Sequence, residues 1–213
     1  MNKAKYVVFD GMDGSGKGTQ IELLKTEFAS SAVFTREPGG TPFAEEIRKL
    51  VRDNPLAGTS TSLNNFLLFW AAREDLQHNL IVPALQSGKH VFSDRGDSST
   101  FAYQLCGEEH HEFFSMFMHI RQTVFAEVNS RRKPDLYIVF DLPAEAARER
   151  TLQDVSRTRN HFDIRDLKYY ERVRKGFRRF AIYGPTVFID ATQMPEEIHR
   201  DVMLILAEKM NIP

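Results

Sequence analysis

Cysteine is almost absent from this sequence. Its 213 residues include one, Cys106, so no disulfide can form within the chain. Freedom from disulfides is typical of a reducing compartment, and the sequence therefore predicts a cytoplasmic protein. It also predicts a core without covalent cross-links, since a chain of this length buries roughly 70% of its unfolded surface.

Long apolar runs and an excess of charge are also missing. No stretch approaches the ~18 uncharged apolar residues of a membrane span, and the first apolar run, residues 6–9, is shorter than that of a signal peptide. The formal net charge of −1 gives no electrostatic reason to bind a nucleic-acid polymer. We therefore expect no membrane and no nucleic-acid partner, and any anion must be met by a local group of cations.

The order of apolar patterns predicts a single α/β domain over residues 1–213, since repeats and Gly/Ser linkers are also lacking. Short runs rich in β-branched and aromatic residues predict strands at 6–9, 90–93, 136–141 and 186–190, with a weaker one at 32–35. Between them, helical patterns occupy 17–30, 42–52, 63–86, 109–130, 144–153, 166–182 and 195–210. This alternation predicts a five-stranded parallel sheet with helices on both faces.

A glycine-rich segment, residues 11–19, joins the first predicted strand to the first predicted helix. It reads Gly-Met-Asp-Gly-Ser-Gly-Lys-Gly-Thr and contains the pattern Gly-x-x-x-x-Gly-Lys. In that pattern backbone N–H groups point into a concavity, and Lys17 adds charge where the β- and γ-phosphates lie. The sequence thus predicts a three-layer fold of the P-loop NTPase type. The expected ATP-binding residues are Gly11, Met12, Asp13, Gly14, Ser15, Gly16, Lys17, Gly18 and Thr19.

The loop departs from the general signature at the position that ligates Mg²⁺. A Ser or Thr normally follows the lysine, whereas here Gly18 does, and Thr19 is ~100° further round the helix. We expect Mg²⁺ to rest instead on phosphate oxygens, water and a carboxylate. The candidates are Asp94 and Asp13.

Polar residues follow two further strands: Arg36-Glu37 after the second and Asp94-Arg95 after the third. Ligands of parallel sheets bind beyond the carboxyl ends of the strands. We therefore expect these residues to meet the glycine-rich loop at one edge, although Asp94-Arg95 could also be a structural ion pair.

The G-K-G-T-Q spelling of the loop is similar to nucleoside monophosphate kinases in general. Seven further segments span almost the whole chain: T-R-E-P-G-G-T (35–41), E-I-R-K-L (46–50), L-L-F-W-A-A-R (67–73), S-D-R (93–95), S-T-F-A-Y-Q (99–104), K-P-D-L (133–136) and I-D-A-T-Q (189–193). Taken together, in this order and spacing, they resemble bacterial-type thymidylate kinases.

The resemblance implies transfer of the ATP γ-phosphate to dTMP, giving dTDP and ADP in dTTP biosynthesis. It implies that Arg36, Arg48 and Arg95 surround the acceptor phosphate. The resemblance also implies that Phe69 stacks on thymine, although a helical aromatic of this kind is more often a core residue. The implied acceptor-binding residues are Arg36, Glu37, Pro38, Arg48, Phe69, Arg73, Arg95, Ser99, Thr100, Tyr103 and Gln104.

The chemistry favours the same residue types independently. A nucleoside monophosphate carries about −1.5 to −2 charge, so its oxygen is already nucleophilic and no general base is needed. Catalysis then depends on aligning two anions and neutralising the charge that develops. The expected catalytic residues are Lys17, Arg95, Asp13, Arg157 and Arg159.

Arg157 and Arg159 belong to an arginine-rich segment, residues 155–165, which the sequence predicts to be a mobile lid. The glycine-rich loop has no arginine of its own between Gly14 and Lys17. Closure of the lid would therefore supply a cation to the transferred group and exclude water.

Two departures from the family pattern leave alternatives open. Gly96 stands where Tyr or His usually follows Asp-Arg, which would open space beside the acceptor pocket, and the lid has His161-Phe162-Asp163 in place of its usual pattern. The alternatives are a kinase of another deoxynucleoside monophosphate and a non-catalytic nucleotide-binding regulatory protein.

The predicted helix 109–130 has more large apolar side chains than one buried helix face needs. These are Phe113, Phe114, Phe117 and Met118, and their excess predicts a homodimer.

Overall fold

The computed structural model describes residues 3–126, 133–153 and 165–212. Their strands form one parallel five-stranded sheet in the order β2-β3-β1-β4-β5. The predicted α/β fold of the P-loop type is therefore confirmed. The strands are β1 (Tyr6–Gly11), β2 (Ala32–Arg36), β3 (His90–Asp94), β4 (Leu136–Asp141) and β5 (Thr186–Asp190).

The central strand β1 shows why helices cover both faces of the sheet. All its residues are buried, and successive side chains of a strand point to opposite faces. Val7 and Phe9 pack into one apolar cluster, whereas Tyr6 and Val8 pack into another. A continuous apolar run is thus the pattern of a strand buried on both faces.

Helices fill the intervals between the strands. The α-helices are α1 (Lys17–Glu27), α2 (Pro42–Arg48), α3 (Ser62–Leu76), α4 (Val82–Gln86), α5 (Asp97–Thr100), α6 (Phe114–Val124), α7 (Ala144–Gln153), α8 (Leu167–Phe180) and α9 (Pro195–Met210). π-helical turns at Lys49–Asp53, Gln77–Ile81 and Phe101–Gly107 continue α2, α3 and α5. Short 3₁₀ turns lie at Pro55–Thr59 and His111–Phe113. The bounds predicted for α7 and α9 are confirmed.

The helical segment that begins at α5 was not predicted. Its first residue, Asp97, is buried and accepts a hydrogen bond from the hydroxyl of Tyr137 at 2.7 Å and another from Arg121. Both partners lie far away in the sequence, so the local polar sequence gave no sign of a helix. This helical segment packs closely against α8: a Cβ on Gly176 of α8 would lie 2.8 Å from the Cα of Ala102.

The predicted helix 109–130 begins later than expected. Glu109 has a left-handed backbone, with φ of 63°, so it cannot belong to a right-handed helix. The 3₁₀ turn from His111 precedes α6. Residues 127–130 of that prediction, and residues 155–164 of the predicted lid, lie outside the described residues.

Within the described ranges, no helix is long and apolar enough to cross a membrane. The longest, α9, has sixteen residues and carries acidic side chains in its first turn.

Candidate active site

A cavity of about 450 Å³ lies at the carboxyl edge of the sheet. The glycine-rich loop after β1, the ends of β2 and β3, and the helices α2, α3 and α5 surround it. Of the predicted site residues, those that line it are Asp13, Gly14, Ser15, Gly16, Lys17, Gly18, Arg36, Glu37, Pro38, Arg48, Phe69, Arg73, Asp94, Arg95, Ser99, Thr100, Tyr103 and Gln104.

Three predicted loop residues do not line this cavity. Gly11 and Met12 are buried beneath the loop, and the side chain of Met12 packs in an apolar cluster. Thr19 is exposed on α1. It lies one residue after the position that follows the lysine, so its side chain points ~100° away from the direction of that position. Arg52 and Gly96 also line the cavity, although the sequence did not predict them as site residues.

The loop can take its shape because glycine occupies its left-handed positions. Gly11, Gly14 and Gly16 have φ of 136°, 77° and 83°. A Cβ on Gly11 would also lie 2.6 Å from the carbonyl oxygen of Phe140, a separation that no side chain tolerates. α1 begins directly after Gly16, so its first-turn N–H groups have no intrahelical acceptors and are available to an anion.

Lys17 is buried within the loop. Its Nζ donates to the carbonyl oxygens of Gly11 and Met12, each at 3.0 Å. Burial, and next the positive charge of Arg95, lower the pKa of Lys17 to about 8. The cation that the loop offers to phosphate is therefore partly lost in mildly alkaline solution.

The lowered pKa of Lys17 makes nucleotide binding sensitive to pH. With a pKa of about 8, Lys17 is mostly charged at pH 7 and mostly neutral at pH 9, so ADP would meet a largely neutral lysine at pH 9. We expect the dissociation constant of ADP, measured by calorimetry in EDTA, to rise about tenfold from pH 7 to pH 9. Lys17→Met, which has no titrating amine, is the matched control, and its dissociation constant for ADP should change little over this range; an equal rise in that variant would contradict the assignment to Lys17.

Arg95 connects the loop to the start of α5. Its guanidinium donates to Asp13 Oδ1 at 3.0 Å, to Ser99 Oγ at 2.9 Å and to the carbonyl oxygen of Gly11 at 3.3 Å. It also lies over the ring of Tyr103, 5.2 Å from the centroid. Arg95 has φ of 72°, a left-handed conformation that is strained for any residue with a Cβ. Such strain is concentrated at functional sites.

Asp10, at the base of the loop, hydrogen-bonds the start of α5. The sequence did not predict it as a site residue. Its carboxylate is fully buried and accepts hydrogen bonds from Ser98 Oγ at 2.5 Å and Ser99 Oγ at 2.7 Å. Burial raises its pKa, although the charge of Arg95 acts in the opposite direction. The available signal was an acidic residue at the carboxyl end of a fully apolar strand.

Asp94, the predicted metal ligand, lies at the end of β3 and lines the cavity. Its Oδ1 is buried and has no hydrogen-bond partner among the described residues. A carboxylate oxygen is the ligand that Mg²⁺ prefers, so this oxygen fits a metal. No group of three or more His, Cys, Asp or Glu side chains in the described ranges could hold one.

A buried ion pair closes the other end of the cavity. Arg73 Nε donates to Glu37 Oε2 at 2.7 Å, and Arg73 Nη2 donates to Thr100 Oγ1 at 3.1 Å. Burial raises the pKa of Glu37 to about 7, although the charge of Arg73 opposes the shift. Arg73 Nη1 and Glu37 Oε1 are both buried without a hydrogen-bond partner in the described structure. A buried donor and a buried acceptor without protein partners can form hydrogen bonds to a polar ligand.

Three arginines gather where α2 faces the cavity: Arg36, Arg48 and Arg52. Arg48 Nη1 donates to the carbonyl oxygen of Pro38 at 2.8 Å, and Arg36 Nη2 lies 3.1 Å from Glu45 Oε2. Burial, followed by the charges of Arg52 and Arg36, lowers the pKa of Arg48 to about 10. The guanidinium groups of Arg36 and Arg52 are therefore close enough to Arg48 to repel its charge.

The sequence suggested that Gly96 opens space beside the acceptor pocket, but the place that a Cβ at this position would take is already occupied. A Cβ there would lie 3.0 Å from Cγ1 and 3.1 Å from Cγ2 of Val8. The side chain of Val8 already fills that space, although Gly96 still lines the cavity. The lid arginines Arg157 and Arg159, by contrast, lie outside the described residues.

A phosphate-binding loop and an arginine cluster facing one cavity, on a parallel sheet, define a P-loop phosphotransferase of the nucleoside monophosphate kinase type. The family model described as Thymidylate kinase matches residues 9–202. The chain belongs to the thymidylate kinase family, and its activity is that of a dTMP kinase. The two alternatives left open by the sequence are not favoured.

Similar proteins agree with this assignment. The chain is 36% identical to a thymidylate kinase of Pelotomaculum thermopropionicum, over 98% of this chain and 95% of that protein. It is 34% identical to a thymidylate kinase of Vibrio parahaemolyticus, over 98% of each. The crystal structure of thymidylate kinase from Ehrlichia chaffeensis superposes with a TM-score of 0.73 at 28% identity, covering 95% of this chain and 98% of that one.

Proposed function

We propose that the chain transfers the γ-phosphoryl group of ATP to the phosphate of dTMP, giving dTDP and ADP for dTTP biosynthesis. The observation that carries the proposal is the common cavity: the loop residues around Lys17 and the arginines of α2 line the same space. Donor and acceptor phosphates bound there would face each other, as in-line transfer requires.

On the donor side, the loop backbone and Lys17 would hold the β- and γ-phosphates. The support is the free first turn of α1 and the buried Nζ of Lys17 at the base of the loop. The same N–H groups and the lysine would stabilise charge as the bond between the γ-phosphorus and the bridging oxygen breaks. ADP then leaves with that oxygen.

On the acceptor side, Arg36, Arg48 and Arg95 would hold the dTMP phosphate. Arg73 and Glu37 would hydrogen-bond the edge of thymine and the sugar, since each retains a buried polar atom without a partner. Phe69, which lines the cavity on the same helix as Arg73, would stack on the base. The dTMP phosphate oxygen would attack directly, so Arg95 would need only to neutralise its charge, while Asp13, which accepts a hydrogen bond from Arg95, would hold that guanidinium in place.

Mg²⁺ is part of the proposal. Asp94, with its unpartnered Oδ1, is the residue that would hold it. Bound there with the donor phosphates, the ion would neutralise charge and help to fix their orientation. Gly18 contributes no side-chain ligand, which leaves the carboxylate as the main contribution from the protein.

Closure, assembly and location complete the proposal. Arg157 and Arg159 would approach the transferred group when the lid closes. A homodimer is supported by the half-exposed apolar side chains of Leu67 on α3 and Phe114 on α6. A cytoplasmic location is supported by the single buried Cys106.

A coupled ADP-release assay with ATP, Mg²⁺ and a panel of monophosphates tests the proposed function. The panel contains dTMP, dUMP, dCMP, dGMP and AMP. We expect dTMP to be preferred and dUMP to be used with a kcat/KM about 10- to 200-fold lower, because one missing methyl group changes binding by only ~1–3 kcal/mol. Equal efficiency with a purine would overturn the choice of acceptor, and no turnover with any acceptor would overturn the activity.

A further inference from the structure

Asp10 is a buried carboxylate that does not itself reach the catalytic cavity. It lies near the end of β1, its side chain is fully buried, and it is not among the residues that line the cavity. Its Oδ1 accepts hydrogen bonds from the Gly11 N–H at 2.8 Å, from Ser99 Oγ at 2.7 Å and from Arg95 Nη1 at 3.5 Å. Its Oδ2 accepts from Ser98 Oγ at 2.5 Å. An effect of Asp10 on the reaction must therefore pass through one of these partners.

Two of these partners, Arg95 and Ser99, line the cavity. The hydroxyl of Ser99 donates to Asp10 Oδ1 and accepts from Arg95 Nη1 at 2.9 Å, so it connects the carboxylate to the guanidinium. Asp10 also forms a direct ion pair with Arg95, with 3.5 Å between Oδ1 and Nη1. A buried carboxylate is costly unless it is paired and hydrogen-bonded. The contacts that stabilise the charge of Asp10 are therefore the same contacts that hold the guanidinium.

The guanidinium of Arg95 has an inner and an outer side. Nη1, on the inner side, makes the contacts with Asp10 and Ser99. Nη2, on the outer side, donates at 3.0 Å to Asp13, which lines the cavity. A long side chain loses rotamer entropy when it is ordered, and the contacts of Nη1 order this one before a substrate binds. A cation that is already in place need not reorganise while charge develops on the reacting phosphates.

We infer that Asp10 is a positioning residue for phosphoryl transfer: it holds the guanidinium of Arg95, directly and through Ser99, in the orientation that faces the acceptor phosphate. The inference rests on the proposed function, because it depends on the role proposed there for Arg95. Asp10 contacts no substrate in this role. Its whole effect on the rate should therefore disappear when the guanidinium is removed.

A double-mutant cycle in the full chain tests this dependence. Asp10→Asn keeps the size and shape of the side chain but removes its charge, and it is compared in wild type and in Arg95→Ala. The measurements are kcat and the KM values for ATP and dTMP in the presence of Mg²⁺. In wild type we expect Asp10→Asn to lower kcat about tenfold, because a misplacement of about 1 Å costs ~10²-fold and the amide retains part of the contacts. In Arg95→Ala the same substitution should change kcat by less than about twofold, and KM for ATP should stay constant in both backgrounds.

Ser98→Ala is the matched control. Ser98 donates to Oδ2 of Asp10, whereas the contacts with Arg95 and Ser99 are made through Oδ1. Ser98→Ala should therefore lower the midpoint of thermal unfolding and leave kcat close to that of wild type. Ser99→Ala, which cuts the connection between Asp10 and Arg95, should lower kcat about tenfold. That loss should also disappear in the Arg95→Ala background.

The outcomes separate the inference from a purely structural role for Asp10. A loss of kcat by the same factor in both backgrounds, or an unchanged kcat in Asp10→Asn, would overturn the inference. If Asp10→Asn does not fold, the cycle of Ser99→Ala with Arg95→Ala decides by the same criteria. A slow Arg95→Ala together with an unaffected Asp10→Asn defeats the inference alone. Wild-type kcat in Arg95→Ala, or no turnover of dTMP by the wild type, defeats the proposed function.

Discussion

Replacing Lys17 with methionine is expected to lower kcat about 10³-fold. Methionine has nearly the volume of lysine but no charge and no donor. Lys17 is the cation at the base of the phosphate loop, and its Nζ lies 3.0 Å from two loop carbonyls. Losing one preorganised donor to a developing charge costs ~10²–10³ in rate, and the loss of its charge as well places Lys17→Met at the upper end.

The matched control is Lys25→Met on the same helix. Lys25 is exposed and pairs with Glu22 one turn away, an interaction of little energetic value. Steady-state rates with ATP and dTMP should be unchanged in Lys25→Met. Because Lys17 also satisfies loop carbonyls, thermal unfolding must accompany the kinetics. A folded Lys17→Met with kcat within tenfold of wild type would show that the loop lysine is not catalytic.

Replacing Arg95 is expected to produce the second largest effect. Its guanidinium joins Asp13, Ser99 and the carbonyl of Gly11, so truncation would remove the cation that we propose for the acceptor phosphate and would release the loop from α5. Arg95→Ala and Arg95→Gly should each lower kcat by about 10²–10³. Arg95→Lys should recover only part of the rate, since an ammonium cannot make the same set of bonds.

Arg95→Gly and Arg95→Ala should differ in their free energy of unfolding. The glycine variant should be the more stable of the two, the reverse of the usual order. The backbone at Arg95 has φ of 72°, which costs alanine ~1–2 kcal/mol, while glycine loses ~0.4–1 kcal/mol through its more flexible unfolded state. Arg95→Gly should therefore be more stable than Arg95→Ala by about 0.5–1 kcal/mol, from the difference between those two ranges. Urea unfolding measures the difference. A more stable alanine variant would show that the backbone here is not strained.

The sheet and most helices could be predicted because their signals are local. The run from Tyr6 to Phe9 is apolar without interruption, and only a strand buried on both faces needs that pattern. The helix at Asp97 could not be predicted, because its stabilising partners, Arg121 and Tyr137, lie 24 and 40 residues away. The late start of α6 depends on the left-handed backbone of Glu109, which the sequence does not reveal.

The site shows the same division between local signals and distant contacts. The loop residues and the motif arginines were predicted because their spacing is distinctive, and the fold brings them to one cavity. Arg52 was missed because it lies two residues beyond the 46–50 motif, where an arginine on a helix is usually solvated. Asp10 was missed because its role depends on Ser98 and Ser99, which approach it only in the folded chain.

The charges around the cavity also give the whole molecule an uneven electrostatic field. Among the described residues that line it, six are basic and three are acidic, whereas the complete chain has 28 basic and 29 acidic residues. The remaining side chains must therefore be acidic in excess. The excess of basic side chains around this opening favours the approach of anionic nucleotides from solution, so electrostatic steering can guide them to the site before any contact forms. Because mobile ions screen such a field beyond about 8 Å at physiological salt, added salt should slow the capture of substrate while leaving the chemical step unchanged.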